Sequence, residues 1–208
     1  MAPVWAVFIL QQTIDLNWIQ LGILPRSVEG LSGILTFPFI HADWKHLVNN
    51  STALVVLLTL LFQSYRAIAW KSLLWVYLMS GAWLWVIGRP ERHIGASAVV
   101  YGLFGFLFLG GILRKDGKLM AVSLLVIFLY GSLVWGIFPT SRNISWEGHL
   151  TGLLSGLTLA FFFRDQGPQR KVYSWELEEE EDVVIAGEED ALIDPSIQNE
   201  KGAPESAS

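Results

Sequence analysis

Apolar residues occupy this chain in long blocks, and the few polar residues that interrupt them carry most of its information. About 20 apolar residues in a helix cross the core of a bilayer. Runs of that order, bounded by charged or turn residues, fall at 47–62, 70–88, 95–113, 119–138 and 149–163. These five segments predict five membrane-spanning helices. A sixth run at 2–18 is weaker, because Gln11, Gln12 and Asp15 break it, and it reads as a first span that is short or tilted. A secretory signal peptide fits it less well, for want of a basic start and a small-residue cleavage site. From Trp18 to Asp43 the apolar residues are punctuated by Pro25, Gly30, Gly33 and Pro38, so this connection is expected at the membrane interface. The predicted fold class is all-α: a polytopic membrane helix bundle of six transmembrane helices.

Composition agrees with that pattern. Of the 208 residues 52% are hydrophobic and only 16% charged, with a mean hydropathy of +0.45, which is too apolar for an ordinary soluble domain. The absence of cysteine excludes a disulfide framework, a zinc–thiolate site and a cysteine nucleophile. The net charge of −5 hides a division, since residues 165–208 hold 13 of the 19 acidic side chains, while residues 1–164 hold 11 basic against 6 acidic ones. Two regions are therefore expected: a membrane domain at 1–164 and an acidic, solvated tail at 165–208. A partner-binding motif at 175–185 is a second reading of that tail. With six spans, one side of the membrane collects eight basic residues and the other five, which predicts that both termini are cytoplasmic. Nucleic-acid signatures, internal repeats and phosphate-binding loops are absent, and no cofactor or metal is expected.

Three polar insertions stand at the starts of alternate spans: His41 to Asn50, Gly95-Ala96-Ser97-Ala98, and Gly148-His149 to Gly152. Ionisable and hydrogen-bonding groups are costly at membrane depth and by default mark a functional site. Alternate helices of an up-and-down bundle run parallel, so the three insertions belong at one depth. His46 and Asn50, four apart, share a helix face. Below His149, Gly152, Gly156 and Ala160 form a small-residue stripe that permits close helix approach; Ser97, Tyr101 and Gly105 repeat at the same spacing. Packing of one stripe on the other is expected to bring Ser97 to His149. A serine hydroxyl needs a base to become a nucleophile, and a neutral imidazole suits that role. His46, Asn50 and the Ser97 amide are candidate donors to an oxyanion, and Tyr101 is a candidate packing partner for the His149 ring.

The remaining polar residues receive plainer readings. His41 and Asp43 are expected to cap and position the start of the second span. His93, among Arg89, Glu91 and Arg92, reads as an exposed loop residue, and Glu147 as an interfacial carboxylate, which leaves a Ser/His dyad without an acidic third member. The ten tryptophans are mostly interfacial anchors.

Taken together, these residues resemble the rhomboid family of intramembrane serine proteases over positions 3–163. His41, His46 and Asn50 repeat the family's second-span spacing. Gly95-Ala96-Ser97-Ala98 with Tyr101 is similar to its Gly-x-Ser-x signature, and His149 with Gly152 to its final-span His-x-x-Gly. The resemblance implies a six-helix fold, Ser97 as nucleophile, His149 as base, and His46 and Asn50 in the oxyanion hole, with Gly95 in support. It implies transmembrane protein substrates cut in or near the bilayer, and a location in a bacterial cytoplasmic membrane. Two positions depart from the family: Ala98 stands where many members have glycine, and the loop before the second span lacks a Trp-Arg pair. A non-catalytic relative that binds transmembrane helices as an adaptor or quality-control factor is the alternative. A proton-relaying transporter is disfavoured, because the polar groups gather at one depth.

Overall fold

The computed structural model of the chain describes residues 1–14, 16–140 and 144–169; the expected acidic tail, from 170 onward, lies outside the described residues. Seven α-helices follow in order among the described residues: α1 (Ala2–Thr13), α2 (Gly33–Thr36), α3 (Trp44–Ser64), α4 (Ala69–Ile87), α5 (Ser97–Arg114), α6 (Gly117–Tyr130) and α7 (Trp146–Phe162). Among the described residues, three helical stretches, Trp44–Ser64, Ser97–Arg114 and Gly117–Ile137, are long and apolar enough to cross a membrane on length and composition alone. The other two strong apolar runs of the sequence form α4 and α7. The weak first run forms α1, whose 12 residues extend about 18 Å at 1.5 Å per residue, well short of a ~30 Å hydrocarbon core.

The starts of α3, α6 and α7 lie two or three residues outside the apolar runs, where a polar residue caps each. Asp43 precedes α3 and accepts from the His46 N–H at 2.8 Å, as expected of it. Ser145 caps α7 through the Gly148 N–H, and Asp116 caps α6 through the Lys118 and Leu119 N–H groups. Each satisfies a backbone donor that a helix start leaves open. Two arginines serve the opposite ends. Arg26 donates to the carbonyls of Val86, in the last turn of α4, and of Gly88, its C-cap. Arg114, buried beneath the Tyr65 ring, donates to the Phe163 and Gln166 carbonyls beyond α7. Positive charge at a helix C-terminus is also favoured by the helix dipole.

The middle of the bundle is α5, with 13 of its 18 residues buried, whereas α6 buries only 3 of 14. A helix that is apolar all round belongs in the interior, and α5 fills it, packing on α3, α4, α6 and most extensively on α7. The predicted stripe contact between α5 and α7 is present. A Cβ placed on Gly152 would strike the Ala98 carbonyl, and one on Gly156 would strike the Gly102 carbonyl. On α5 the contact line is therefore Ala98 and Gly102, one position along from the expected Ser97 and Tyr101, which flank it. Gly105 does join the line, a Cβ there lying 2.9 Å from the Leu153 carbonyl. Ala98, where many members have glycine, is accommodated from the other helix, because Gly152 has no Cβ to strike it.

The long connection between α1 and α3 folds into short 3-10 turns around α2. It is fastened to the loop between α4 and α5 by the Ile23–His93 bridge, with N–H to O distances of 2.9 and 2.8 Å. Helix α1 packs Val4 and Phe8 against Leu47 at the start of α3, and the Trp5 indole donates to Ser51 at 3.0 Å.

Gly156→Ala should destabilise the protein by about 1–3 kcal/mol, because two backbones must separate to admit a methyl group. Gly117→Ala, whose added Cβ meets open space, should leave stability unchanged or slightly higher. Thermal unfolding in detergent checks the pair, and equal midpoints for Gly156→Ala and wild type would refute the close contact.

Candidate active site

The starts of α3, α5 and α7 open onto one cavity of about 710 Å³, lined among others by His46, Asn50, Ser97, Tyr101 and His149. All four polar residues singled out by helix parity therefore share it, and the Tyr101 ring accompanies them. How each is held follows from its own segment.

Ser97 is the first residue of α5, after the N-cap Ala96. The first intrahelical bond of this helix runs from the Val100 N–H to the Ala96 carbonyl, 3.0 Å, so the N–H groups of Ser97, Ala98 and Val99 have no acceptor within the helix. They stand at the positive end of the helix dipole, where an anion is favoured. The turn leading in requires Gly95. Its φ is +100°, a conformation that glycine adopts without strain, and a Cβ there would lie 2.5 Å from the His46 ring. Its own N–H is anchored on the Phe37 carbonyl at 2.8 Å.

His149 lies in the first turn of α7. Its ring stacks on Tyr101 with centroids 4.2 Å apart and planes 6° from parallel, as the sequence pattern suggested. Its Nδ1 is 2.9 Å from the Gly136 carbonyl oxygen. A carbonyl only accepts, so Nδ1 carries the proton and Nε2 is left with a free lone pair. Gly136 lies in the 3-10 helix Gly131–Ile137 that continues α6, and nothing in the sequence marked it. The reason it must be glycine is steric, since a Cβ there would collide with the Tyr101 hydroxyl and stand 3.1 Å from His149 Nδ1.

Asn50 is buried, and its amide nitrogen is 3.1 Å from His41 Nε2. The His41 ring also meets the His46 ring edge-on at 4.9 Å. His41 thus touches both residues expected to form the oxyanion hole, in keeping with a positioning role. Gln11 of α1 bonds the His41 main chain on both sides, accepting from its N–H and donating to its carbonyl. Burial, followed by repulsion from a protonated His46, lowers the His41 pKa from 6.5 to about 4.

Two plainer readings require correction. His93 is not an exposed loop residue: only 3% of its surface is accessible. Its Nδ1 is 2.6 Å from the Ser145 hydroxyl and its Nε2 3.1 Å from the Arg89 carbonyl, and burial lowers its pKa. Glu147 is likewise buried, at 4% exposure, with Oε1 3.7 Å from Arg89 Nε. The charges around His93 suggested solvent, but its loop folds back over the start of α7 and encloses both His93 and Glu147. Only the serine three residues before a glycine and an apolar run, a helix-start pattern, hinted at this arrangement.

A rhomboid domain model matches residues 28–166 of the chain. The chain belongs to the rhomboid family. An uncharacterized protein of Mycobacterium tuberculosis is 32% identical over 160 residues, covering 72% of this chain and 65% of that protein. An uncharacterized protein of Mycobacterium leprae is 31% identical over 182 residues, covering 82% and 70%. Rhomboid-type serine protease 2 of Emericella nidulans is 29% identical over 129 residues, covering 58% of this chain and 24% of its own. The chain thus spans about two thirds of the mycobacterial relative of M. tuberculosis. The helical bundle and the apolar helices fit an integral membrane rhomboid.

The His41 imidazole gives this rhomboid a pH signature. Unfolded histidine takes a proton near pH 6.5, whereas folded His41 resists it to about pH 4. Stability should therefore fall as the pH drops from about 6.5 to 4 and level off below. His41→Gln should be less stable near neutral pH yet lack this component of the decline, as read from unfolding midpoints across that range. An identical pH slope in both proteins would contradict the buried, neutral imidazole.

Proposed function

We propose that this chain is an intramembrane serine endopeptidase, and that Ser97 and His149 form its catalytic dyad. One observation carries the reading: the Gly136 carbonyl fixes the His149 proton on Nδ1, so the free Nε2 belongs to a histidine that shares its cavity with Ser97. In the reaction His149 Nε2 takes the Ser97 hydroxyl proton as Oγ attacks a peptide carbonyl. The oxyanion that forms is met by open N–H groups of the α5 first turn, with His46 and Asn50 as side-chain donors. The protonated imidazole then gives its proton to the departing amine. Water repeats the sequence on the acyl-enzyme, releasing the second product and restoring the serine. The Tyr101 face supports the imidazole during both transfers, and His41 holds Asn50 in place.

The family's membrane setting and the apolar helices around the cavity support membrane-anchored proteins as the substrate class, cut in or near their transmembrane segments. The name of the Emericella relative, a rhomboid-type serine protease, supports the same chemistry.

A fluorophosphonate probe should label the wild-type protein in detergent or liposomes, and Ser97→Ala or His149→Ala should abolish both labelling and cleavage of a model transmembrane substrate. Asn50→Ala should lower kcat by about 10²- to 10³-fold. Equal cleavage by wild type and Ser97→Ala would eliminate the mechanism. A wild type that binds transmembrane helices without cutting them would favour the adaptor reading.

The excess of basic residues in the loops after α3 and α5 and following α7 supports cytoplasmic termini. Because the chain has no native cysteine, single-cysteine labelling can check this directly. In intact cells an impermeant maleimide should react with Glu91→Cys and not with Arg66→Cys; the reverse pattern would invert the topology.

A further inference from the structure

The loop that delivers Ser97 and the turn that delivers His149 are joined by a polar clasp that the proposed mechanism does not use. His93 lies four residues before Ser97, and Ser145 four residues before His149. Their side chains meet at 2.6 Å. Each is independently anchored. His93 exchanges both main-chain hydrogen bonds with Ile23, while the Ser145 carbonyl accepts from the His149 N–H at 3.2 Å and its hydroxyl accepts from the Gly148 N–H at 3.3 Å.

The direction of every bond in the clasp can be assigned. The Arg89 carbonyl can only accept, so His93 carries its proton on Nε2. Nδ1 is then an acceptor, and the Ser145 hydroxyl must donate to it. The same hydroxyl uses a lone pair for Gly148, the residue before His149. One chain of hydrogen bonds therefore runs from the first turn of α7, through Ser145 and His93, to the main chain of the loop before α5. Beside it, Arg89 donates to the Ile144 carbonyl and faces Glu147 of α7.

We propose that His93 and Ser145 are a positioning pair that fixes the relative height and rotation of the helix starts bearing Ser97 and His149. The proposal rests on the dyad reading above. The glycine contacts between α5 and α7 set how far apart the helices stand, but smooth backbones resist sliding and rotation poorly. A hydrogen bond at the first turns supplies that missing constraint. Both residues line the same cavity as the dyad, and each acts through the residue four positions on.

Two isosteric substitutions separate this role from simple helix capping. Asparagine and aspartate are both strong N-caps, yet only asparagine can donate to Nδ1 of a neutral His93. Aspartate would accept from a protonated one, so the two are compared at alkaline pH, where His93 is neutral. Ser145→Asn should keep probe labelling of Ser97 and kcat near wild type. Ser145→Asp should lower both by about tenfold, the worth of roughly one hydrogen bond, with KM unchanged. In a His93→Ala background the two substitutions should become equal. If Ser145→Asp does not fold, His93→Asn, whose Oδ1 replaces Nδ1 as acceptor, should outperform His93→Leu in the same assays. Equal rates for Ser145→Asn and Ser145→Asp with His93 present, or a difference that survives His93→Ala, would overturn the pair. A wild type that never labels would refute the dyad, and the clasp with it; labelling that ignores these substitutions would refute the clasp alone.

Discussion

Close backbone contact between α5 and α7 is the constraint on which the rest of the bundle depends. In lipid there is little hydrophobic gain from pushing two helices together, so association rests on packing and on contacts between main chains. Gly152 and Gly156 remove the side chains that would hold the helices apart, and the α7 backbone settles on the carbonyls of Ala98 and Gly102. That spacing decides how far apart the first turns lie. Tyr101 can stack flat on His149 only because the helices below them are this close. The alanine after Ser97 is tolerated for the same reason: Gly152 opposite leaves it room.

A second requirement follows from the scarcity of water around such a bundle. Helix termini carry open donors and acceptors that must be met within the protein. Asp43, Asp116 and Ser145 meet donors at three starts, and Arg26 and Arg114 meet acceptors at two ends. The start of α5 has no side-chain cap, and it lies beside the cavity that Ser97, His46 and His149 line. Unmet donors there are available for a transient negative charge, which is the use that the proposed chemistry makes of them.

Much of this was legible in the sequence because membrane depth imposes a strong and simple rule. Apolar runs announced α3 to α7, and polar residues at alternate starts announced that His46, Asn50, Ser97 and His149 share one cavity. The small-residue period announced the α5–α7 contact, although the line on α5 fell one residue away, since glycine spacing fixes a face only to within its width. What the pattern could not reveal was set by loops folding back on helices. His93 sits among charges, which suggested exposure, but the Ile23–His93 bridge draws its loop inward, against Glu147 at the start of α7. Gly136 was invisible for a different reason: its contribution is a carbonyl, and every residue has one.

That carbonyl has a consequence for how this site can change. In a triad the group that orients the histidine is a side chain, which a single codon can exchange or titration can neutralise. Here the orienting acceptor is the main-chain oxygen of Gly136, which bears no charge and cannot be deleted by any replacement of its own residue. The imidazole is therefore held by the path of the chain through Gly131–Ile137, and the steric fit at 136 guards that path. Neighbouring residues in this segment are free to drift while the tautomer of His149 stays the same.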